Sequence, residues 1–81
     1  MPGLASPRIS VIIPAVDEEA AIGLVIADIP RVVHEVIVVD NGSRDRTAEV
    51  AQAAGARVVS EPRRGYGRAC LAGIAAADRP D

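Results

Sequence analysis

The side chains able to do chemistry in this sequence fall into three short clusters: Pro14-Ala15-Val16-Asp17-Glu18, Asp40-Asn41-Gly42-Ser43-Arg44-Asp45, and Glu61-Pro62-Arg63-Arg64-Gly65-Tyr66-Gly67-Arg68. An aspartate at the head of a turn can accept hydrogen bonds from a base imide or a ribose hydroxyl, which makes Asp40 a recognition candidate. Asp-Asn-Gly-Ser is equally good turn chemistry, with Ser43 or Asp45 capping a following helix. From Arg57 to Arg68 the chain carries four Arg and one Glu, a local +3, while the remainder carries −5. Arg63, Arg64 and Arg68 flank Gly65 and Gly67 where a helix is expected to begin. Guanidinium forks, free amides and flexible backbone together suit a phosphate or carboxylate, and the alternative is a solvated basic surface. Asp17 and Glu18 likewise read either as ligand contacts or as negative charge set against a helix dipole.

Isolated residues carry less. His34 has no companion histidine and suits a surface or capping role. Cys70 sits in an Ala-rich stretch and reads as a small buried hydrophobe, and Tyr66 packs either on a ligand or on the sheet. A single cysteine excludes an internal disulfide and a Cys-rich zinc site. The chain has no lysine, hence no Walker loop, and Tyr66 is its one aromatic residue, so stacking platforms for single-stranded nucleic acid are missing. A net charge of −2 supplies no field for nucleic acid or an anionic membrane. Met1 to Arg8 lacks a secretory pattern, and the apolar run Ile9 to Val16 is far below the roughly 20 residues a membrane helix needs. The expected location is cytoplasmic.

The elements that must position these clusters follow from periodicity. Ile9 to Ile13 is β-branched and nearly continuous in apolarity, as in a strand buried on both faces, and it is bounded by Pro7 and Pro14. Asp17, Glu18 and Glu19 then suit a first helical turn, followed by a stripe at Ala21, Ile22, Val25, Ile26 and Ile29 that Pro30 stops. The pattern repeats with a strand at Val36 to Val39, a helix from about Asp45 to Ala54 ended by Gly55, and a short strand at Arg57 to Val59. A third helix is expected from Tyr66 or Gly67 to Ala77, with a turn over the last residues. Alternation at this spacing predicts an α/β fold, β-α-β-α-β-α, with a three-layer Rossmann-like parallel sheet and right-handed crossovers. Ligands of such sheets bind at the carboxyl ends of the strands, which puts all three clusters on one rim. Pro14 to Glu18 is no dinucleotide fingerprint, and Gly65-Tyr66-Gly67-Arg68-Ala69-Cys70 misses that motif in place and in its last residue. With 81 residues and no fourth strand, the chain is expected to be a single partial domain, the first half of a nucleotide-binding domain with a bare sheet edge.

Taken together, Val11-Ile-Ile-Pro-Ala-Val-Asp-Glu-Glu19, Glu35-Val-Ile-Val-Val-Asp-Asn-Gly-Ser-Arg-Asp-Arg-Thr47 and Arg63-Arg-Gly-Tyr-Gly-Arg-Ala-Cys-Leu-Ala-Gly73 resemble the family 2 glycosyltransferases, and among them the dolichyl or polyprenyl phosphate mannosyl- and glucosyltransferases. The resemblance runs from about Arg8 to Ala77. It implies the amino-terminal half of a GT-A domain that binds a UDP- or GDP-hexose, with Pro14, Asp17 and Glu18 at the nucleotide, Asp40 at the base, and Arg64 with Gly65 near the base or phosphates. The family usually has Asn where this chain has Asp17, and a small polar residue where it has Arg44. A carboxylate beside a diphosphate is unfavourable unless it points elsewhere.

The resemblance also implies a divalent metal, Mg or Mn, for the intact parent, held by an Asp-x-Asp at the end of a fourth strand that nothing here matches. These 81 residues are therefore expected to bind no metal, to hold no catalytic residue and to be inactive alone. A lipid phosphate acceptor, an association of the parent with the inner face of the membrane, and self-association through the bare edge belong to the same expectation; nucleic acid does not. The alternative is a non-enzymatic nucleotide-binding or partner-binding α/β module. A sugar nucleotidyltransferase or a dehydrogenase would need a Gly-rich loop after the first strand, which Pro14 to Glu18 does not provide.

Overall fold

The computed structural model describes residues 8–77. The expected turn over 78–81 and the amino-terminal Met1 to Pro7 lie outside them. Three strands alternate with three helices: β1 (Ser10–Ala15), α1 (Ile22–Ala27), β2 (Glu35–Asp40), α2 (Thr47–Ala53), β3 (Arg57–Ser60) and α3 (Tyr66–Ala77). All pairing is parallel in the order β1-β2-β3, with Ser10 opposite Glu35, Ala15 opposite Asp40, and Asp40 opposite Ser60.

Period-two alternation distributes the strand side chains between two apolar layers. Ile13, Ala15, Val36, Val38 and Val58 meet Ile22, Ile26, Val50 and Ala51 of α1 and α2. Ile12, Ile37, Val39 and Val59 meet Ala69, Ala72 and Ala76 of α3. With no large aromatic to fill the space, the second layer closes by close approach. A Cβ at Gly73 would stand 3.1 Å from Val39 Cγ2 and nearer still to Ile12, so only glycine lets α3 sit this deep.

Pro14 does not stop β1 but lies inside it. The carbonyls of Ile9 and Ala15 accept from the amides of His34 and Asn41, so the odd residues of β1 direct their backbone groups to β2. Pro14, an even residue, directs its missing N–H to the open edge, where a proline breaks no ladder bond. Of the outward positions Ser10, Ile12 and Pro14, only the first two can donate to another strand, which blunts the edge at its rim end.

Helix α1 is shorter than its apolar stripe predicts, and no acid occupies its first turn. Asp17 takes a left-handed φ of 53°, a region an aspartate tolerates, and the chain stays irregular until a turn at Glu18, whose carbonyl accepts from Ala21 and Ile22 at 3.0 and 2.8 Å. Asp17, Glu18 and Glu19 thus precede α1 and do not lie within its first turn. Helix α2 also begins late, at Thr47, and Gly55 at φ 99° follows its end. Tyr66 is 77% exposed and does not pack on the sheet, and Cys70 is only half-buried.

Candidate functional site

Each of the three clusters leaves the carboxyl end of a strand, so the parallel sheet brings them to one rim: loop 1 (16–21) after β1, loop 2 (41–46) after β2, loop 3 (61–65) after β3. Loop 1 is fastened to loop 2 and to the start of α2 through three successive amides. Asp17 N donates to Ser43 Oγ at 3.0 Å, Glu18 N to Thr47 Oγ1 at 2.8 Å, and Glu19 N to Asp45 Oδ2 at 3.2 Å. These bonds explain the late start of α1. They also occupy the amides that a phosphate-binding turn would offer, so loop 1 is not a backbone anion cradle.

Loop 2 is organised from within. Asp40 Oδ1 accepts from Ser43 N at 3.0 Å, leaving its other carboxylate oxygen without a partner among the described residues. Ser43 is not the helix cap, because its hydroxyl faces loop 1. Nor is Asp45, which precedes the cap position Arg46, where no side-chain cap bond is made; its Oδ1 accepts from Thr47 N at 2.9 Å and from the Thr47 hydroxyl. The Thr47 hydroxyl is the main reason the Asp45 carboxyl lies below the ordinary aspartate range.

Loop 3 is fastened to loop 2 by Asn41, a buried residue that sequence reasoning treated only as a turn former. Its Nδ2 donates to the carbonyls of Glu61 and Arg63 at 2.6 and 2.9 Å, and its Oδ1 accepts from Gly65 N at 3.2 Å. Thr47, fully buried, was missed in the same way. The signal for each is slight, a polar residue directly after a buried strand and one where a helix begins. Glu61 is buried too, and its carboxylate accepts from Arg63 N, Nε and Nη2 at 3.0, 3.2 and 3.0 Å. The Arg63 side chain is the first cause of the fall in the Glu61 pKa, and Glu61 raises that of Arg63 in return.

The rim therefore joins most of the residues singled out from sequence. Asp17 Oδ1 accepts from Arg44 N at 2.8 Å, so its carboxylate is turned to the loop 2 backbone. Arg64 crosses to loop 2, with Nη2 3.3 Å from the Gly42 carbonyl oxygen. A Cβ at Gly42, where φ is 87°, would come 3.2 Å from Arg64 Nε. Gly65, at φ 137°, supplies the amide that Asn41 holds. Pro14 and Glu18 are set to one side, lining a cavity of about 240 Å³ with Ile13, Ala15, Ile22 and Val25. A second cavity, of about 520 Å³, lies between Glu61, Arg63, Arg68, Leu71 and Ala72. The arrangement offers a carboxylate and free guanidinium groups to one ligand with both hydrogen-bond donors and anionic oxygens. Among the described residues no three His, Cys, Asp or Glu come together in a way that fits a metal ion. No helix there is long and apolar enough to cross a membrane.

Residues 10–80 match the family described as Glycosyl transferase family 2. An uncharacterized glycosyltransferase of Mycobacterium tuberculosis is 46% identical over 77 residues, 95% of this chain and 35% of the relative. The dolichyl-phosphate hexose transferase of Haloferax volcanii is 47% identical over 75 residues, 89% of this chain and 32% of the relative. Among solved structures, glucosyl-3-phosphoglycerate synthase from Mycobacterium tuberculosis, in complex with Mn²⁺, UDP-glucose and glycerol 3-phosphate, superposes with a TM-score of 0.78 at 38% identity, covering 94% of this chain and 35% of that one. The chain thus spans about a third of the length of these relatives.

Proposed function

This chain belongs to glycosyl transferase family 2 and has the Rossmann-like first half of its GT-A fold, and from that membership we propose that its rim binds the nucleotide sugar of a hexosyltransferase. The donor is a UDP- or GDP-hexose and the acceptor a polyprenyl or dolichyl phosphate. The observation that carries this reading is the fastening of all three loops around Asp40, through Asn41, Ser43 and Thr47, with one Asp40 carboxylate oxygen left open. Asp40 takes the base or ribose, Pro14 and Glu18 flank the nucleotide, and Arg64 with Gly65 lies by the base or the diphosphate. Asp17 acts through the backbone of loop 2.

Hexosyl transfer passes through an oxocarbenium-like state while the departing diphosphate gains charge, so cations at the leaving group lower the barrier. Arg64 supplies one from this chain. A divalent metal, when bound, adds Lewis-acid stabilisation of the same diphosphate, and the described residues do not assemble a site for it. A phosphate acceptor arrives already ionised and needs no general base to become a nucleophile. We infer that these 81 residues form a partial domain, the donor-binding part of a longer enzyme, and do not transfer sugar alone. The support is the 35% share of the Mycobacterium tuberculosis relative that they span.

The test is calorimetry with UDP and GDP on the intact protein, followed by transfer of labelled hexose to dolichyl phosphate with Mg²⁺ or Mn²⁺ present. Asp40→Asn is expected to weaken nucleotide binding by roughly 1–3 kcal/mol, the range for a charged hydrogen bond. Unchanged affinity would remove Asp40 from the site. Hexose transfer by the 81-residue chain alone would overturn the partial-domain reading.

A further inference from the structure

Loop 2 carries a cation to which the donor-site reading gives no task. The Arg44 amide is held by Asp17 Oδ1 at 2.8 Å, while its side chain is exposed and has no hydrogen-bond or ion-pair partner among the described residues. Two nearby arginines are paired, Arg46 with Glu49 at 3.1 Å and Arg63 with Glu61 at 3.0 Å, while Arg68 keeps no carboxylate partner among the described residues. Arg64 arrives on the same short segment from the opposite side, against the carbonyl of Gly42, two residues before Arg44. The nearest acid on loop 1, Asp17, directs an oxygen to the Arg44 backbone and not to its guanidinium.

Two like charges brought to one loop repel each other, and no carboxylate of the described residues pairs with either. Such a pair is satisfied by an anion with several oxygens, which each planar fork can grip in bidentate fashion. We propose that Arg44 and Arg64 form a two-guanidinium clamp across loop 2 for a phosphate-bearing group, with Asp17 as the positioning residue that sets Arg44 on the rim. The proposal rests on the donor-site reading and deepens it. The phosphate belongs either to the donor diphosphate or to the acceptor, since both carry the same chemistry to this rim.

The experiment uses the intact protein and the probes UDP, GDP, uridine, guanosine and farnesyl phosphate, at low and moderate salt. Arg44→Gln is expected to weaken binding of a phosphate-bearing probe by about 5- to 20-fold and to reduce its salt dependence, with the nucleosides unaffected. Loss confined to UDP or GDP assigns the clamp to the donor; loss confined to farnesyl phosphate assigns it to the acceptor. Asp17→Asn keeps an oxygen for the Arg44 amide and should bind as the unsubstituted protein does. Asp17→Ala should lose part of the affinity, and should lose nothing further when Arg44→Gln is already present. Unchanged affinity of Arg44→Gln for every phosphate-bearing probe overturns the clamp, and an equal loss from Asp17→Ala in both backgrounds overturns the positioning role. If the unsubstituted protein binds neither UDP nor GDP, the donor reading itself falls and the clamp with it.

Discussion

The two ends of the sheet hold similar polar residues and use them in opposite ways. At the amino end, Ser10 Oγ donates to Glu35 Oε1 at 3.1 Å, Arg57 Nη1 lies 3.5 Å from Glu35 Oε2, and the same nitrogen donates to the Ala76 carbonyl at 2.9 Å. Those charges are consumed in tying β1, β2, β3 and α3 together. At the carboxyl rim the ties run through the neutral side chains of Asn41, Ser43 and Thr47 and through the carboxylates of Asp17, Asp40 and Asp45, which accept from backbone amides, while among the described residues Arg44, Arg64 and Arg68 keep no carboxylate partner. A rim built this way keeps most of its framework apart from its unpaired cations. The framework can therefore fail without a change in charge, and the charge of Arg44 can be removed without breaking one of these ties, since only its backbone amide takes part.

The largest effect that separates the two is expected at Asn41. Asn41→Ala strands the carbonyls of Glu61 and Arg63 and the amide of Gly65, all held by one side chain. The Glu61 bond is buried and the other two are part-buried, and an unsatisfied buried group costs about 1–3 kcal/mol, so denaturant midpoint and nucleotide affinity should fall together. A variant that keeps its stability but loses nucleotide binding would move Asn41 from the framework to the ligand side. Next comes the amino end. Glu35→Gln is expected to lower stability by roughly 1 kcal/mol, as for a partly exposed pair, and to leave UDP and GDP affinity unchanged. A change in affinity there would break the division between the two ends.

The alternation of β-branched runs with helical stripes made the α/β order, the parallel sheet and the common rim legible from sequence, because buried strands and crossover helices leave periodic traces. α3 was legible to within a residue of its start for the same reason. The first helix was not. Asp17, Glu18 and Glu19 look like dipole-compensating acids, yet their amides are taken by side chains 26 to 29 residues away, and tertiary bonds overrode local preference. Pro14 misled similarly, since whether a proline ends a strand or lies at an edge depends on which side the neighbouring strand occupies. The rim location of Asp40 and the basic third loop were readable, but Asn41 and Thr47 were not, because a turn former and a buried anchor have the same side chain.

The smallest effect tests whether the Glu61–Arg63 pair belongs to the framework or to the charged surface. Glu61 is buried and accepts three hydrogen bonds from Arg63, and its pKa falls below the ordinary 4.5 chiefly through the Arg63 side chain. Asp45 falls below 3.8 chiefly through Thr47. For a carboxyl depressed in the folded state, the unfolded chain takes up protons first as pH falls, so the stabilisation is complete above the ordinary pKa and is lost on descending through the folded one. Thermal unfolding should thus be level near neutrality and weaken below about pH 4.5. Glu61→Gln can still accept from Arg63 N but no longer titrates, and it should lower the neutral melting temperature slightly while making the acid limb shallower. An acid limb of unchanged slope would mean that the carboxylate adds nothing to loop 3 and that Arg63 belongs with the uncommitted arginines of the rim.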